Sequence, residues 1–217
     1  MTEKIKHYTP REEKLSAYSH LAGVILAFAG IYPLCKCVLA LNSTAFTAGV
    51  IFYWFSLIAM FGASSFYHFC KDEKLKLAAR KFDHLAIYLL ITGTYAPLIT
   101  GAVKTFSGLM VLAALICLTL LGIVNKLLFA NKFHFFEVII YIAMGWACVF
   151  IARDLIAGMS QSGLLLLLSG GITYTSGVIF YAVRKEFFHA VWHIFVLSGA
   201  VLQFLSILTI GKILNGL

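Results

Sequence analysis

Charged side chains are scarce in this sequence. Lys and Arg number 17 and Asp and Glu nine, so only 12% of the 217 residues carry charge while 61% are hydrophobic. That balance excludes an ordinary soluble domain, in which roughly a quarter of residues are charged. Proline is rarer still, at three. No low-complexity tract and no internal repeat interrupts the chain, which reads as one domain over residues 1–217. The five cysteines, Cys35, Cys37, Cys70, Cys117 and Cys148, contain no CxxC pair. A disulfide framework and a sulfur metal site are thereby disfavoured, and the thiols read as packing groups. No stretch between apolar runs is long enough for a soluble domain. The net charge of +8 does not imply nucleic acid, because the basic residues sit in short loops between apolar runs, where membrane topology accounts for them.

What the chain has instead is long apolar runs. Mean hydropathy is +0.94, and a membrane-crossing helix needs about 20 mostly apolar residues. The runs predict seven spans, near 17–41, 45–69, 81–101, 107–129, 134–153, 163–183 and 189–211. The first, starting near Leu21, reads as a retained span because Glu3, Glu12 and Glu13 are mixed among the lysines ahead of it. Thirteen of the 17 basic residues fall in loops on one side, and only Lys36, Lys104, Arg153 and Lys212 on the other. The positive-inside rule then places the N-terminus in the cytosol and the C-terminus outside. The expected architecture is an all-α, seven-transmembrane helix bundle, multi-pass in a bacterial cytoplasmic membrane. Small residues at 62–65, Gly170-Gly171, Ser176-Gly177 and Ser198-Gly199-Ala200 predict close helix approach. A kink is expected at Pro97, and Tyr18, Tyr67 and Trp192 read as interfacial anchors.

The polar residues gather at one end of these spans. His68 ends span two, Asp83 begins span three, and His189 and His193 begin span seven. His20 begins span one, and Ser64 lies one turn deeper than His68. An i, i+4 step turns a helix by only about 40° and rises about 6 Å, so Ser64/His68 and His189/His193 each share a face. Ionisable groups in a membrane are costly, and a layer of them marks a functional site by default. Three neutral imidazoles, from His68, His189 and His193, suit zinc and leave a fourth position for water, the pattern of a catalytic site. Asp83 is placed to orient that water or take its proton, and Ser64 to hydrogen-bond Asp83, a ligand or a reacting oxygen. Taken singly, each has a plainer reading. Ser64 suits helix packing, Asp83 an N-cap or an ion pair with Arg80 or Lys81, and a lone histidine an interfacial position.

Other polar residues read as supporting cast. His84 is turned about 100° from Asp83, so the two are not expected to face one centre. His134 and Glu137 start span five, with Glu137 read as an interfacial charge. His7 lies in the N-terminal tail. Arg153 and Asp154 suggest a local ion pair, and Asn125 and Gln203 interhelical hydrogen bonds.

Ser64-x-x-x-His68, Lys81-Phe82-Asp83-His84 with Tyr95-Ala96-Pro97, and His189-Ala190-Val191-Trp192-His193 together resemble the hemolysin III family. That family stands with the progestin and adipoQ receptors and the alkaline ceramidase-like membrane hydrolases. The resemblance runs from Glu13 to the seventh span. It implies zinc on His68, His189 and His193, with Asp83 holding a water and Ser64 beside it. It also implies an N-terminal Glu and Asn followed by His. Glu13 and His20 are present, but Ser16 stands where Asn is usual, and His20 is left as a supporting residue beside the ligands.

Three functions follow as expectations. The first is a zinc-dependent hydrolase of a lipid amide or ester, working near the cytosolic leaflet with a membrane lipid as its partner. The second is a receptor-like sensor or regulator of membrane lipid state with a structural zinc. The third, suggested by the family's name, is a pore-forming hemolysin. It is disfavoured because a conducting path needs polar side chains along its length and the outer halves of these spans lack them.

Overall fold

The computed structural model describes residues 8–128, 134–183 and 185–214, with the side chains of 134, 135 and 212–214 left out of the description. Lys4, Lys6, His7, Lys132 and Arg184, and the side chains of His134 and Lys212, therefore fall outside the described residues.

Among the described residues the chain is helical and contains no strand. The helices are α1 (Pro10–Ala29), α2 (Ile31–Leu41), α3 (Thr44–Phe69), α4 (Glu73–Pro97), α5 (Phe106–Leu128), α6 (His134–Gly145), α7 (Ala152–Gly158), α8 (Gln161–Ala182) and α9 (Phe188–Leu214). A π-helical turn, Leu98–Val103, extends α4, and a 3-10 segment, Trp146–Ile151, joins α6 to α7. Together they make seven segments long and apolar enough to cross a membrane. Leu, Ile, Phe and Val side chains remain exposed along them, including Leu39, Phe55, Leu121 and Phe150. Such a surface suits lipid rather than water.

Two spans begin earlier than hydrophobicity alone suggests. The first starts at Pro10 because Thr9 and Glu12 form a reciprocal capping box, with proline in the first helical position. The third starts at Glu73, where the Asp72 side chain accepts from the Leu75 N–H at 2.8 Å. Asp72, not Asp83, is thus the N-cap, and Asp83 lies well inside the helix. The first span breaks at Gly30, ahead of Pro33, whose ring nitrogen cannot continue the ladder. After Pro97 the helix widens into the π turn instead of stopping, and Lys104 closes it at φ 47°.

Tight packing concentrates between α3 and α4, between α8 and α9, and around α1. Gly170 faces Gln203, Gly177 faces Phe195 and Trp192, and Gly199 faces Tyr174. The expected small-residue seam between spans six and seven is therefore present. Gly62 has no neighbour where its side chain would point, so that position is not part of a seam. Gln203 Nε2 donates to the Leu167 carbonyl at 3.0 Å, as expected of an interhelical donor. Asn125 is exposed and Lys126 takes the inward position. At the other end of the bundle Asp154 accepts from Thr105 and Ser107 at 2.9 and 2.7 Å, rather than pairing with Arg153. None of the five cysteines forms a disulfide among the described residues.

Candidate metal centre

His68 sits in the last turn of α3, just before the Cys70 C-cap. His189 lies in the first turn of α9, and His193 one turn further on. The fold brings these three side chains together from positions up to 125 residues apart. His189 Nε2 is 3.4 Å from His68 Nε2 and 3.2 Å from His193 Nε2. One ligand atom from each lies within 4.8 Å of the others, so the group could hold a metal ion. Metal–nitrogen bonds of about 2.0–2.1 Å in tetrahedral array space two ligands about 3.3 Å apart, which the two shorter separations match. His68 and His193 are 4% and 2% exposed.

The first helix supports this cluster from one end. Glu13 Oε2 lies 2.7 Å from His68 Nδ1, and its other oxygen accepts from Lys76 Nζ at 2.8 Å. A carboxylate on Nδ1 fixes the tautomer that leaves Nε2 free to bind a cation. Glu12 Oε1 accepts from the Phe187 N–H at 2.6 Å. Phe187 has a left-handed φ of 64°, so this bond pins the strained residue that leads into α9. Tyr8 stacks on His189 with centroids 4.4 Å apart and planes 16° apart. Burial pushes its hydroxyl above the usual tyrosine pKa range. His20, expected beside the ligands, is 3% exposed and stacks on His193 at 3.9 Å. Ser16 is fully buried, and its hydroxyl has no hydrogen-bond partner among the described residues.

A cavity of about 530 Å³ opens beside the cluster. His20, Ser64, Asp83, His189 and His193 all line it. Asp83 makes no hydrogen bond or ion pair among the described residues, which leaves its carboxylate available to a ligand in the cavity. The cavity then follows α4 through Ile87, Leu90, Ile91, Thr94 and Tyr95 to Leu98. Counted from Asp83 to Leu98, fifteen helical steps make that wall about 22 Å long, most of the depth of a hydrocarbon core of roughly 30 Å.

His84, expected beside the site and not at its centre, lines the same cavity as Asp83 and is not part of the histidine cluster. Other sequence readings are corrected here. Glu137 is not an interfacial charge. It is 5% exposed, and both its oxygens lie 2.9 Å from Lys126 Nζ. Lys126, counted above with the loop charges, is 1% exposed and also contacts His84 Nδ1 at 2.9 Å. Tyr67 is no anchor either, being 4% exposed and tilted against His68 with centroids 4.6 Å apart. Trp192 lines the cavity. Tyr18, 58% exposed, keeps the position an anchor needs. The roles of Glu12 and Tyr8 went unread. For Glu12 a signal existed, since Thr9-x-x-Glu12 is a capping-box pattern.

The sequence profile described as Haemolysin-III related matches residues 8–204. The chain belongs to the hemolysin III family. Among its relatives is the Hemolysin-3 homolog of Bacillus subtilis (strain 168), 34% identical over 93% of this chain and 95% of that protein. The Hemolysin-3 of Bacillus cereus is 32% identical over 96% of each. The human Monocyte to macrophage differentiation factor is 26% identical over 71% of this chain and 67% of its own length. This hemolysin III protein is accordingly a multi-pass integral membrane protein, and its bacterial relatives suggest a cell membrane. The profile match spans every residue of the histidine cluster, together with Ser64, Asp83 and the α1 supports.

Proposed function

We propose that this protein is a zinc-dependent membrane hydrolase that cleaves an amide or ester bond of a lipid. The observation that carries this reading is the opening of the three-histidine cluster, with Ser64 and Asp83, onto a long apolar cavity. A cavity of this volume suits a small ligand, and its length along α4 suits an acyl chain lying parallel to the helices.

Bound zinc would supply Lewis-acid polarisation of a carbonyl and a water of lowered pKa. The protein's own groups do the rest. Glu13 holds His68 in the ligating tautomer. Asp83 accepts the proton of the attacking water. Ser64 donates a hydrogen bond to the carbonyl oxygen as charge develops there. The apolar wall from Ile87 to Leu98 holds the chain and excludes bulk water from the reacting end. On this reading the site works in the cytosolic leaflet, the side to which the positive-inside rule assigns most of the Lys and Arg residues.

A second reading, a lipid sensor with a structural zinc, draws support from the way α1 is tied to α3 and α9 around the cluster. Metal analysis and lipid turnover separate the two. Hydrolysis predicts stoichiometric zinc in the wild type, and in Asp83→Ala retained zinc with no turnover. A structural zinc predicts no turnover even in the wild type, and loss of both metal and fold in His189→Ala. Wild-type protein purified without chelators and lacking zinc would sink both. The pore reading gains nothing from the cavity, whose α4 wall offers only Thr94 and Tyr95 as polar groups beyond His84.

A further inference from the structure

Three polar groups without partners lie deep in the bundle, away from the histidines. Tyr53 is 0% exposed, and its hydroxyl has no hydrogen-bond partner among the described residues. Gln203 is 7% exposed; its Nε2 is committed to the Leu167 carbonyl, and its Oε1 is unpaired. The Tyr174 hydroxyl makes no hydrogen bond among the described residues either. The three come from α3, α9 and α8. Tyr174 and Gln203 line the cavity. Tyr53 stands on the α3 face that carries Met60 and Ser64, which line it too. The Tyr174 ring lies over Gly199, and its hydroxyl is within electrostatic reach of Tyr53. Gln203 lies over Gly170, one turn from Tyr174 along α8.

An unpaired polar group is costlier in a membrane than in water, because no solvent reaches it. Buried polar groups are hydrogen-bonded as a rule, so three orphans from three spans at similar depth point to an occupant. Gln203 Oε1 needs a donor, and a tyrosine hydroxyl can donate or accept. A hydroxyl group answers both. A charged group does not. The carboxylates lining the cavity, from Asp83 and Glu137, stand at the histidine end, and no Lys or Arg lines it. Depth then sets where the hydroxyl must be. Tyr174 is seven residues from Tyr181, Gln203 ten from His193 and Tyr53 eleven from Ser64. These intervals put the three groups about 10–16 Å beyond the cluster. An extended chain advances about 1.2 Å per bond, so that depth is roughly eight to thirteen bonds.

We propose that Tyr174 and Gln203, with Tyr53 behind them, form a subsite for a hydroxyl in the middle of an acyl chain, and so select lipids hydroxylated there. The proposal rests on the cavity holding a lipid with its head at the histidines, and not on hydrolysis.

Trp146 and Trp192 both line the cavity, so octadecanoic acid brominated in mid-chain quenches their fluorescence when it enters. Three competitors are added to the quenched protein in detergent: plain octadecanoic acid, the acid hydroxylated on its twelfth carbon, and the acid hydroxylated on its last. In the wild type the mid-chain hydroxy acid restores fluorescence at a concentration about tenfold lower than the plain acid, the effect of one hydrogen bond to an otherwise unpaired buried group. The terminal hydroxy acid does no better than the plain one. Tyr53→Phe with Tyr174→Phe keeps both rings, so the brominated acid still quenches, while the mid-chain preference falls to within about threefold. Equal displacement by the plain or the terminal hydroxy acid in the wild type overturns the subsite and leaves the lipid cavity standing; the first is the result if buried water serves these groups. An unchanged preference in the double variant does the same. If the brominated acid does not quench, the lipid reading falls, and the subsite with it.

Discussion

Two polar clusters lie inside this membrane protein, and they are built on opposite principles. The His68–His189–His193 group gathers three like side chains whose nitrogens point at one another. Nothing within the group supplies a complementary charge, and its spacing could hold a metal ion. The Lys126–Glu137–His84 group instead pairs a cation with an anion, Lys126 Nζ lying 2.9 Å from both Glu137 oxygens and from His84 Nδ1. The first is a socket and the second is a fastening, and both meet at one cavity. Burial of charge in a membrane is therefore not a sufficient sign of chemistry. The sign is whether the groups satisfy one another.

That contrast can be broken experimentally, and the largest effect is expected at the socket. His189→Ala should abolish metal binding, taking zinc measured by elemental analysis from stoichiometric to background. Asp83→Ala should leave the metal in place and lower lipid turnover by about 10²–10⁴-fold, the usual contribution of a general base. Retained turnover would remove Asp83 from the chemistry. At the fastening, Lys126→Met alone strands the Glu137 carboxylate and should cost about 3–5 kcal/mol in thermal or denaturant unfolding. The paired Lys126→Met/Glu137→Leu replacement should unfold close to wild type. If the paired variant unfolds as early as the single one, the network is more than a fastening. Glu13→Ala connects the two principles, because a charge outside the socket tunes a ligand inside it. It should weaken zinc affinity by about 10–100-fold in a chelator competition.

The socket was legible in the sequence and the fastening was not. His189 and His193 stand one helical turn apart, as do Ser64 and His68, and such spacing survives folding because it is set within a single helix. The seven spans were legible for a similar reason, since length and hydropathy are local. Lys126, Glu137 and His84 come from three helices, and no period links their positions. Lys126 was misread because a lysine beside Asn125 at a span end looks like a loop charge, and only packing decides which of the two turns inward. The early starts of the first and third spans rest on the caps at Thr9 and Asp72, which a hydrophobicity profile does not see. The stacking of Tyr8 on His189 joins residues far apart in sequence, and no local pattern announces it.

The bond between Glu12 and the Phe187 N–H joins residues 175 positions apart. It has a consequence for the order of events during synthesis. The helix that steadies His68 is made first, but two of the three ligands are made almost last. A chain released before residue 189 presents only one of the three cluster histidines and no socket. Any metal that the three histidines hold would therefore load at the end of biogenesis, after the final span has entered the bilayer and met the first. A captured ion would then act as a timestamp of completion.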